Sequence, residues 1–259
     1  MEKIKEQLLQ SLKEKQLLAE NYSVKMPFPE VIIIESFNWD YQKAYQAQKE
    51  SLQFIFDHPK LMVFFICSHP HVFTYGRGLQ KTKNQSLNLK ESSPSDLSHL
   101  SYPIEMVDRG GGLTFHYPGA YTFYPMLNLK KYKLDVPQFI NKFLNLIKSF
   151  LNDSLPELNL KCQSDPAGLW KDQYKIGSVG LNLRRLISYH GFSINLFEDP
   201  SFFNDIKDLH PCGLSGSLFK SIQSLYPDQL PFQNMEEFQT QFYPHLEKEI
   251  ELLVKISQK

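Results

Sequence analysis

Residues 176–196 read Ile176-Gly-Ser-Val-Gly-Leu-Asn-Leu183, then Arg184-Arg185, then Leu186-Ile-Ser-Tyr-His-Gly-Phe-Ser-Ile-Asn-Leu196. Each half is a short run rich in residues that favour β-structure, and only two arginines separate the halves. The pattern predicts two paired strands, Ile176–Leu183 and Leu186–Leu196, rather than a helix. Strands joined by so short a connection run antiparallel, so this stretch already argues against a purely parallel sheet.

Further strands and helices surround this pair along the chain. The apolar, β-rich runs Val31–Ile34 and Leu61–Ile66 predict buried strands, and Tyr41–Phe56 between them has helical periodicity. The clearest helix follows Asp135, a capping residue, with Pro137 in its first turn. Because strands and helices do not alternate strictly, we predict an α/β fold of the α+β type. In this fold we expect a mixed, largely antiparallel sheet flanked by helices.

The two ends of the chain also predict helices. Glu2–Glu20 carries apolar residues at helical spacing, so we expect an amphipathic helix that packs on the body or on a partner and ends before Pro29. We therefore divide the chain into an N-terminal helical extension, residues 1–29, and a single domain, residues 30–259. Glu236–Ile256 predicts a closing helix that bends or restarts at Pro244.

Two segments between the strands predict loops. Proline and glycine punctuate Ser68–Gly78, which predicts an irregular connection. Leu79–Leu100 is rich in serine, lysine and asparagine and has almost no aromatic residues, so we expect an exposed excursion of weak order.

Composition excludes several classes of protein. With 259 residues, 42% hydrophobic and 22% charged, the chain is globular rather than disordered. Its 28 basic and 28 acidic residues cancel, so no overall positive field attracts nucleic acid or an anionic membrane. The longest apolar run, Leu61–Cys67, is far shorter than the roughly 20 residues that span a bilayer. The charged N-terminus resembles neither a signal nor a transit peptide, so we expect a cytoplasmic protein.

One of three cysteines stands in a sequence suited to chemistry. Cys212 lies in His210-Pro-Cys-Gly-Leu-Ser-Gly216, where proline and glycine favour a turn that presents a side chain. Cys67 ends an apolar strand, so we expect it to pack as a small hydrophobe, and Cys162 has no turn signal. A purely structural loop thiol remains the alternative for Cys212.

A nucleophilic cysteine needs a base or a cation nearby, because a free thiol with a pKa of about 8.5 is mostly protonated at neutral pH. Lys175, which opens a glycine-rich strand, is one candidate, although a lysine at a strand end is usually just solvated. His116, His190 and His210 are rivals, since histidine titrates closer to neutrality. Spacing alone does not decide among these four.

The segment Asp108-Arg-Gly-Gly-Gly-Leu-Thr-Phe-His116 combines charge with three glycines. Consecutive glycines free backbone N–H groups to line a concave surface, and Arg109 offers a bidentate fork for a carboxylate or phosphate. No Gly-Lys-Ser or Gly-Lys-Thr follows, so this is no phosphate-binding loop of the nucleotide-hydrolase type. His69 and His71 flank Pro70 without an adjacent thiolate or carboxylate, which argues against a zinc site.

These segments together resemble the lipoyl(octanoyl) transferases, whose fold is shared with biotin and lipoate protein ligases. The resemblance covers roughly Val31 to Leu225, and its motifs occur in the family's order. They are His69-Pro-His-Val-Phe-Thr-Tyr-Gly-Arg77, Arg109-Gly-Gly-Gly-Leu-Thr-Phe-His-Tyr-Pro-Gly119 with Tyr124-Pro125, Gly168-Leu-Trp170, Lys175-Ile-Gly-Ser-Val-Gly180, His190-Gly-Phe-Ser-Ile-Asn195 and Pro211-Cys-Gly213.

The resemblance implies an acyltransferase domain that moves an octanoyl group from octanoyl-acyl carrier protein to a lysine of a lipoyl-domain protein. It implies a thioester intermediate on Cys212, activation by Lys175, and no metal or other cofactor. The implied substrate-binding residues are Arg109, Gly110, Gly111, Gly112, Leu113, Thr114, Phe115, His116, Ser178, Val179, Gly180, Gly191, Phe192 and Ser193. Leu113, Phe115 and Val179 are expected to form the apolar slot for the acyl tail.

Two departures concern the acyl pocket. Tyr117 and Ala120 replace the glycine and glutamine that the family usually carries, which predicts an acyl pocket whose mouth is narrower or tuned to another chain length. Acyl carrier proteins are typically acidic, and Lys171, Arg184 and Arg185 form a candidate basic patch for them, with ordinary solvated charges as the alternative.

Two other functions stay open. The triple glycine before Phe115 and His116 also resembles a loop of the ATP-dependent lipoate-protein ligases, although a ligase that uses an acyl-adenylate would not need Pro211-Cys-Gly213. The other alternative is a non-catalytic acyl-binding protein of the same fold.

Overall fold

The computed structural model describes residues 1–78 and 90–258. Its main sheet has eight strands in the order β1-β2-β3-β7-β11-β10-β9-β8, and every neighbouring pair is antiparallel except β2 and β3. This confirms the predicted mixed, largely antiparallel sheet flanked by helices. The strands are β1 Ser23–Lys25, β2 Val31–Ser36, β3 Met62–Cys67, β7 Ala120–Met126, β8 Lys161–Ser164, β9 Ala167–Lys171, β10 Tyr174–Arg184 and β11 Ile187–Asn195.

The predicted strand pair lies inside the main sheet. β10 and β11 pair antiparallel, with Gly180 opposite Gly191. The turn residues Arg185 and Leu186 both have positive φ, 51° and 64°. A two-residue hairpin turn with two positive φ values matches the right-handed twist of its strands, so the connection lies one residue later than the sequence predicts.

Helices cover both faces of the main sheet. On one face lie α3, Val136–Ser154, and α6, Met235–Gln258; on the other lie α1, Glu2–Glu14, and α2, Tyr41–Asp57. The helix α3 begins as predicted, because Asp135 accepts a hydrogen bond from the Gln138 N–H and Gln138 returns one to the Asp135 N–H. The helix α6 continues through Pro244 rather than restarting there.

The C-terminal helix also joins a buried polar chain. The side chain of Gln239 on α6 accepts a hydrogen bond from the Tyr121 hydroxyl at 2.6 Å and donates one to Glu35 at 2.7 Å. All three side chains are buried, and buried polar groups need partners of this kind. The contact ties α6 to β2 and β7.

The N-terminal helix packs on the body, but it is shorter than predicted. Leu8 and Leu12 are fully buried against α2, whereas the helix ends at Glu14 instead of Glu20. At its end Gln16 has a φ of 54°, and the Leu17 N–H donates to the Leu12 carbonyl. This is a Schellman motif, a helix ending with one residue in the left-handed conformation. Because the helix ends here, the later leucines leave the apolar stripe.

A second, three-stranded sheet corrects the prediction of a loop over Ser68–Gly78. Val72–Gly78 is a strand, β4, that lies between β5, Ile104–Met106, and β6, Gly111–His116. Its Val-Phe-Thr-Tyr sequence favours β-structure, but its partners are distant in sequence and the flanking proline and glycines conceal it. A short helix α4, Pro200–Ile206, packs on this sheet through an aromatic cluster. A single helical turn, α5, Ile222–Leu225, follows it along the chain before α6.

The predicted excursion Leu79–Leu100 falls partly outside the described residues, because residues 79–89 are not described. From Lys90 to Leu100 the segment is not exposed throughout, because Ser92 and Leu97 are buried. Leu97 lies in a 3-10 turn, Pro94–Leu97, and is buried against the second sheet. Among the described residues, no helix has the length and apolar character needed to cross a membrane.

We predict that Leu8→Ala lowers the free energy of unfolding by about 2–5 kcal/mol, because it removes a fully buried side chain and leaves a cavity between α1 and α2. Chemical denaturation measures this loss. Gln7→Ala on the exposed side of the same helix is the control, with a change within about 0.5 kcal/mol. Equal effects of the two substitutions would contradict the packing of α1 on the body.

Candidate active site

Cys212 lies on a tight turn that points its thiol at the second sheet. The turn, Pro211–Gly213, holds Cys212 in a left-handed conformation with φ 52° and ψ 31°. The Cys212 thiol donates a hydrogen bond to the Leu113 carbonyl on β6 at 3.2 Å. Positive φ is uncommon for residues other than glycine, and such strained conformations cluster at active sites. The turn predicted around Cys212 therefore exists, and it presents the side chain.

Lys175 and Cys212 line the same cavity, which is open to solvent and has a volume of about 1220 Å³ when its open mouth is included. Lys175 lies near the start of β10 and is only 4% exposed. Gly110, Gly111 and Val179, three of the predicted substrate-binding residues, line this cavity as well. The fold thus brings together two residues that are far apart in sequence, as the proposed chemistry requires.

Burial changes the acid–base behaviour of Lys175. Desolvation lowers the pKa of its ammonium group, and the positive charge of Arg109 lowers it further. The Cys212 sulfur, when negatively charged, acts in the opposite direction and raises the pKa of Lys175, but the net shift is downward. A larger fraction of Lys175 is therefore a neutral amine at neutral pH than for an exposed lysine, and a neutral amine can act as a base.

The side chain of Lys175 is held in place by its neighbours. Its ammonium nitrogen lies 5.8 Å from the ring centroid of Trp170 and 5.7 Å from that of Phe219, within the range of cation–π attraction. On the adjacent strand, a Cβ at Gly168 would lie 2.1 Å from the Gly177 carbonyl oxygen and 3.2 Å from the Lys175 Cε. The motif Gly168-Leu-Trp170 therefore shapes the space around Lys175.

Arg109 holds the glycine run against the second sheet. Its guanidinium is buried and donates to the Thr74 carbonyl at 2.7 Å, to the Thr74 hydroxyl, and to the carbonyls of Gly110 and Gly112. A Cβ at Gly111 would lie 3.5 Å from Arg109 Nη1 and 3.8 Å from Cys212 Sγ. Arg109 thus uses these N–H groups for hydrogen bonds within the protein. Its guanidinium group also lies near Cys212.

A second cavity of about 320 Å³ lies between the two sheets. We call it the inner cavity. Eight of the predicted substrate-binding residues line it, namely Arg109, Thr114, His116, Ser178, Gly180, Gly191, Phe192 and Ser193. Among the described residues, the buried atoms His116 Nδ1, Thr122 Oγ1 and Ser193 Oγ lack hydrogen-bond partners, and all three residues line this cavity. The inner cavity is therefore apolar in part, with unpaired polar groups in its wall.

The structure does not bring Leu113 and Phe115 into a slot with Val179. Strand β6 alternates, so Thr114 and His116 line the inner cavity while Leu113 and Phe115 pack in the aromatic cluster with α4. Tyr117 is also in that cluster, with its hydroxyl bonded to the Phe197 carbonyl, and Ala120 is buried there too. These two departures from the family pattern thus fill the core beside α4, rather than the mouth of a cavity.

The three histidines considered as bases do not line the cavity of Cys212 and Lys175. His116 and His190 line the inner cavity, and burial is the largest influence lowering the pKa of each. His210 precedes the Cys212 turn and its backbone N–H donates to Ser92 Oγ at 2.8 Å. Of the four candidate bases, Lys175 is the one that shares a cavity with Cys212.

A hydrogen-bond network around Asp108 was not predicted from the sequence. Asp108 accepts hydrogen bonds from the hydroxyls of Tyr45 at 2.6 Å and Tyr189 at 2.7 Å, and it contacts His190 Nε2 at 3.1 Å. The contact with His190 is the main cause that lowers the pKa of the Asp108 carboxyl. The network fixes the residue before Arg109; its only trace in the sequence is the charged pair Asp108-Arg109.

The two histidines considered for zinc have other partners. His69 contacts the Trp39 carbonyl at 2.7 Å and the Tyr124 hydroxyl at 3.0 Å, while His71 contacts Asp199 at 2.7 Å. Within residues 1–78 and 90–258, no three histidine, cysteine, aspartate or glutamate side chains are grouped so as to hold a metal ion.

Residues 37–246 match the protein family described as the lipoyl protein ligase A/B catalytic domain. The chain belongs to this family. It is 33% identical over 192 residues to an octanoyltransferase of Prochlorococcus marinus, covering 73% of this chain and 75% of that protein. It is 34% identical over 152 residues to an octanoyltransferase of Shewanella woodyi, covering 59% of this chain and 62% of that protein.

Solved structures of the lipoyl protein ligase A/B family and its neighbours share the fold. A lipoate-protein ligase A bound with ATP superimposes with a TM-score of 0.59 at 10% identity, covering 89% of this chain and 94% of that chain. LipL1 of P. falciparum, solved in complex with lipoate, gives a TM-score of 0.50 at 12% identity over 74% of this chain and 48% of that chain. At such low identity the likeness establishes the fold alone.

We predict that Lys175→Met raises the free energy of unfolding at pH 7 and that the gain shrinks as pH rises toward 10.5. Between its lowered folded-state pKa and 10.5, the ordinary pKa of an exposed lysine, the unfolded chain binds more protons at Lys175, so wild-type stability rises with pH there. Methionine carries no titratable group, so the variant lacks this pH-dependent loss of stability. Urea denaturation at several pH values measures the difference between the two proteins.

Lys171→Met serves as the control, because Lys171 is partly exposed on the neighbouring strand and pairs with Asp172. It should show no comparable pH-dependent gain. A stability difference for Lys175→Met that stays constant between pH 7 and 10.5 would contradict the lowered pKa.

Proposed function

We propose that the chain transfers an octanoyl group to a lysine of a lipoyl-domain protein through a thioester on Cys212. Its relatives of the lipoyl protein ligase A/B family are octanoyltransferases. The observation that carries the proposal is the cavity shared by Cys212, on its left-handed turn, and the buried amine of Lys175. A thiol beside a lysine of lowered pKa suits covalent acyl transfer.

In the first step the Lys175 amine accepts the thiol proton of Cys212. The sulfur attacks the carbonyl carbon of the octanoyl thioester, a carbon–sulfur bond forms, and the carbonyl electron pair moves to oxygen. When that pair returns, the bond to the donor sulfur breaks, and the donor thiolate takes the proton from the Lys175 ammonium. The donor was already a thioester, so the step needs no nucleotide.

In the second step the amine of the acceptor lysine attacks the acyl carbon on Cys212. Lys175 removes the proton that the new amide nitrogen must lose, and Cys212 leaves as a thiolate that is protonated again. One residue thus serves as base in both halves. A base with a pKa below that of an exposed lysine is suited to this at neutral pH.

The two cavities suggest how the substrates are divided. We assign the acyl tail to the inner cavity, which is lined by eight of the residues that the family resemblance implies for substrate binding. The cavity must widen to admit eight carbons, because its free space in this structure is about that of one water molecule. The solvent-open cavity around Cys212 is large enough for the donor's thioester arm and, after its departure, for the acceptor lysine. Arg109 lines the inner cavity and lies near Cys212 across Gly111, which supports a thioester position between the two cavities.

We expect an octanoyl adduct on Cys212 when the protein is mixed with octanoyl-acyl carrier protein and no nucleotide. Intact-mass measurement followed by peptide mapping detects it. Cys212→Ser should form no stable thioester and lose transfer, because its hydroxyl is a far weaker nucleophile. Cys162→Ser, at a partly exposed thiol on β8, is the matched control and should keep both.

The same experiment separates the alternatives. An ATP-dependent lipoate ligase would tolerate Cys212→Ser and would show no adduct without nucleotide. A non-catalytic acyl-binding protein would bind octanoyl carrier but transfer nothing. Either result would contradict the proposed transferase.

An exposed basic surface lies beside the site. Lys49, Arg77 and Arg184 line a surface cavity together with Leu183, and Leu183 also lines the cavity of Cys212. Lys171 does not belong to this patch, because it pairs with Tyr174 at the other end of β10 from Arg184. The basic patch predicted from the sequence is thus divided. Arg184 lies with Lys49 and Arg77, and Lys171 lies apart from them.

We predict that Arg77→Glu combined with Arg184→Glu raises KM for octanoyl-acyl carrier protein about tenfold or more. Like charges then oppose an acidic carrier. KM for a small octanoyl thioester should stay unchanged, and added salt should raise KM for the carrier more in the wild type than in the variant. Lys171→Glu is the control. Equal effects on the carrier and the small thioester would exclude this surface as a carrier contact.

A further inference from the structure

Glu91 places a carboxyl group directly beside the nucleophile. The backbone N–H of Leu113 donates a hydrogen bond to Glu91 Oε1. Burial raises the pKa of this carboxyl group, and the backbone N–H of Cys212, which faces it, acts in the opposite direction. The Cys212 thiol itself contacts the Leu113 carbonyl. A side chain from the segment expected to be exposed thus contacts the same backbone residue, Leu113, as the Cys212 thiol.

The site around this carboxyl group is shaped to receive it. A Cβ at Gly112 would lie 1.6 Å from Glu91 Oε1 and 2.2 Å from the carboxyl carbon, so any residue larger than glycine would displace Glu91. The missing side chain of Gly112 and the two N–H donors form a small cradle for a carboxylate. This gives the third glycine of the run a role that the sequence alone did not reveal.

The neighbours of Glu91 are also fixed. The Tyr75 hydroxyl donates to the Ser92 carbonyl at 2.5 Å, and the Ser92 hydroxyl accepts from the His210 N–H at 2.8 Å. Ser92 is buried, and Leu97 packs on the second sheet. The contact of Glu91 with the cradle is therefore part of a docked segment that touches both β4 and the approach to the Cys212 turn.

Two backbone N–H groups beside a nucleophilic sulfur are what a developing oxyanion requires. When Cys212 attacks a thioester, the carbonyl electron pair moves to oxygen, and this negative oxygen lies within reach of the N–H of Cys212 itself. A carboxylate oxygen held by the same donors carries similar charge at a similar place. Glu91 therefore acts as an internal stand-in for the oxyanion.

We propose that the backbone N–H groups of Leu113 and Cys212 form the oxyanion site and that Glu91 competes for it and must withdraw before Cys212 is acylated. This inference rests on the proposed transferase function. The oxyanion accepts hydrogen bonds from these two N–H groups as the carbon–sulfur bond forms. The N–H groups are free again when the donor sulfur departs. The free carboxylate of a fatty acid has the chemistry to bind the same pair of donors.

The test uses the full chain with Glu91→Ala and Glu91→Gln. Removal of the competitor should raise kcat/KM for acylation by a small octanoyl thioester about fivefold or more in Glu91→Ala. Glu91→Gln, which keeps the size and removes the charge, should give a smaller increase. Asp208→Asn is the matched control, because Asp208 is exposed in the same surface cavity as Glu91 and its loss removes equal charge. It should leave the rate unchanged.

Octanoate binding supplies a second readout that does not depend on turnover. Its carboxylate should bind Glu91→Ala more tightly than the wild type, by a similar factor, and calorimetry measures this. Unchanged or slower acylation together with unchanged octanoate binding in both Glu91 variants would overturn the inference. A wild type that forms no adduct would instead refute the transferase function, and octanoate binding would still decide whether Glu91 occupies an anion site.

Discussion

Burial of Lys175 in the wall of the cavity that Cys212 also lines is the constraint on which the proposed chemistry depends. An ammonium group taken out of water is destabilised, so its pKa falls and it becomes a usable base. The same burial costs stability, which the rest of the fold must offset. Two apolar clusters, one on each face of the main sheet, supply that stability and hold β10 rigidly in place.

The site belongs to neither sheet alone. The main sheet contributes Lys175, the second sheet contributes the glycine run, and the Cys212 turn follows α4, which packs on the second sheet. Arg109 fastens the glycine run to Thr74 with charge-assisted hydrogen bonds. A small displacement of one sheet relative to the other would therefore separate the amine from the sulfur, which explains why so much hydrogen bonding is concentrated where the sheets meet.

Local patterns predicted the parts of this fold that are stabilised locally. The β10–β11 hairpin, the cap at Asp135 and the buried strand at β3 follow from short-range periodicity and capping. Strand β4 was not predicted, because its partners are more than 25 residues away and pairing, rather than propensity, decides its structure. For the same reason neither the contact of Glu91 with Gly112 nor the partners of Asp108 could be predicted from the sequence. Many of the motif residues line two separate cavities, and only coordinates divide them between the two.

The hydrogen-bonded chain from Tyr121 through Gln239 to Glu35 has a consequence for biosynthesis. It links residues 204 positions apart, and contacts between such distant residues close late in folding. Cys212 and everything before it are synthesised before Gln239. At about 5–20 residues per second, the apolar face that α6 will cover stays open for a matter of seconds, and a nascent chain in that interval is open to capture by chaperones.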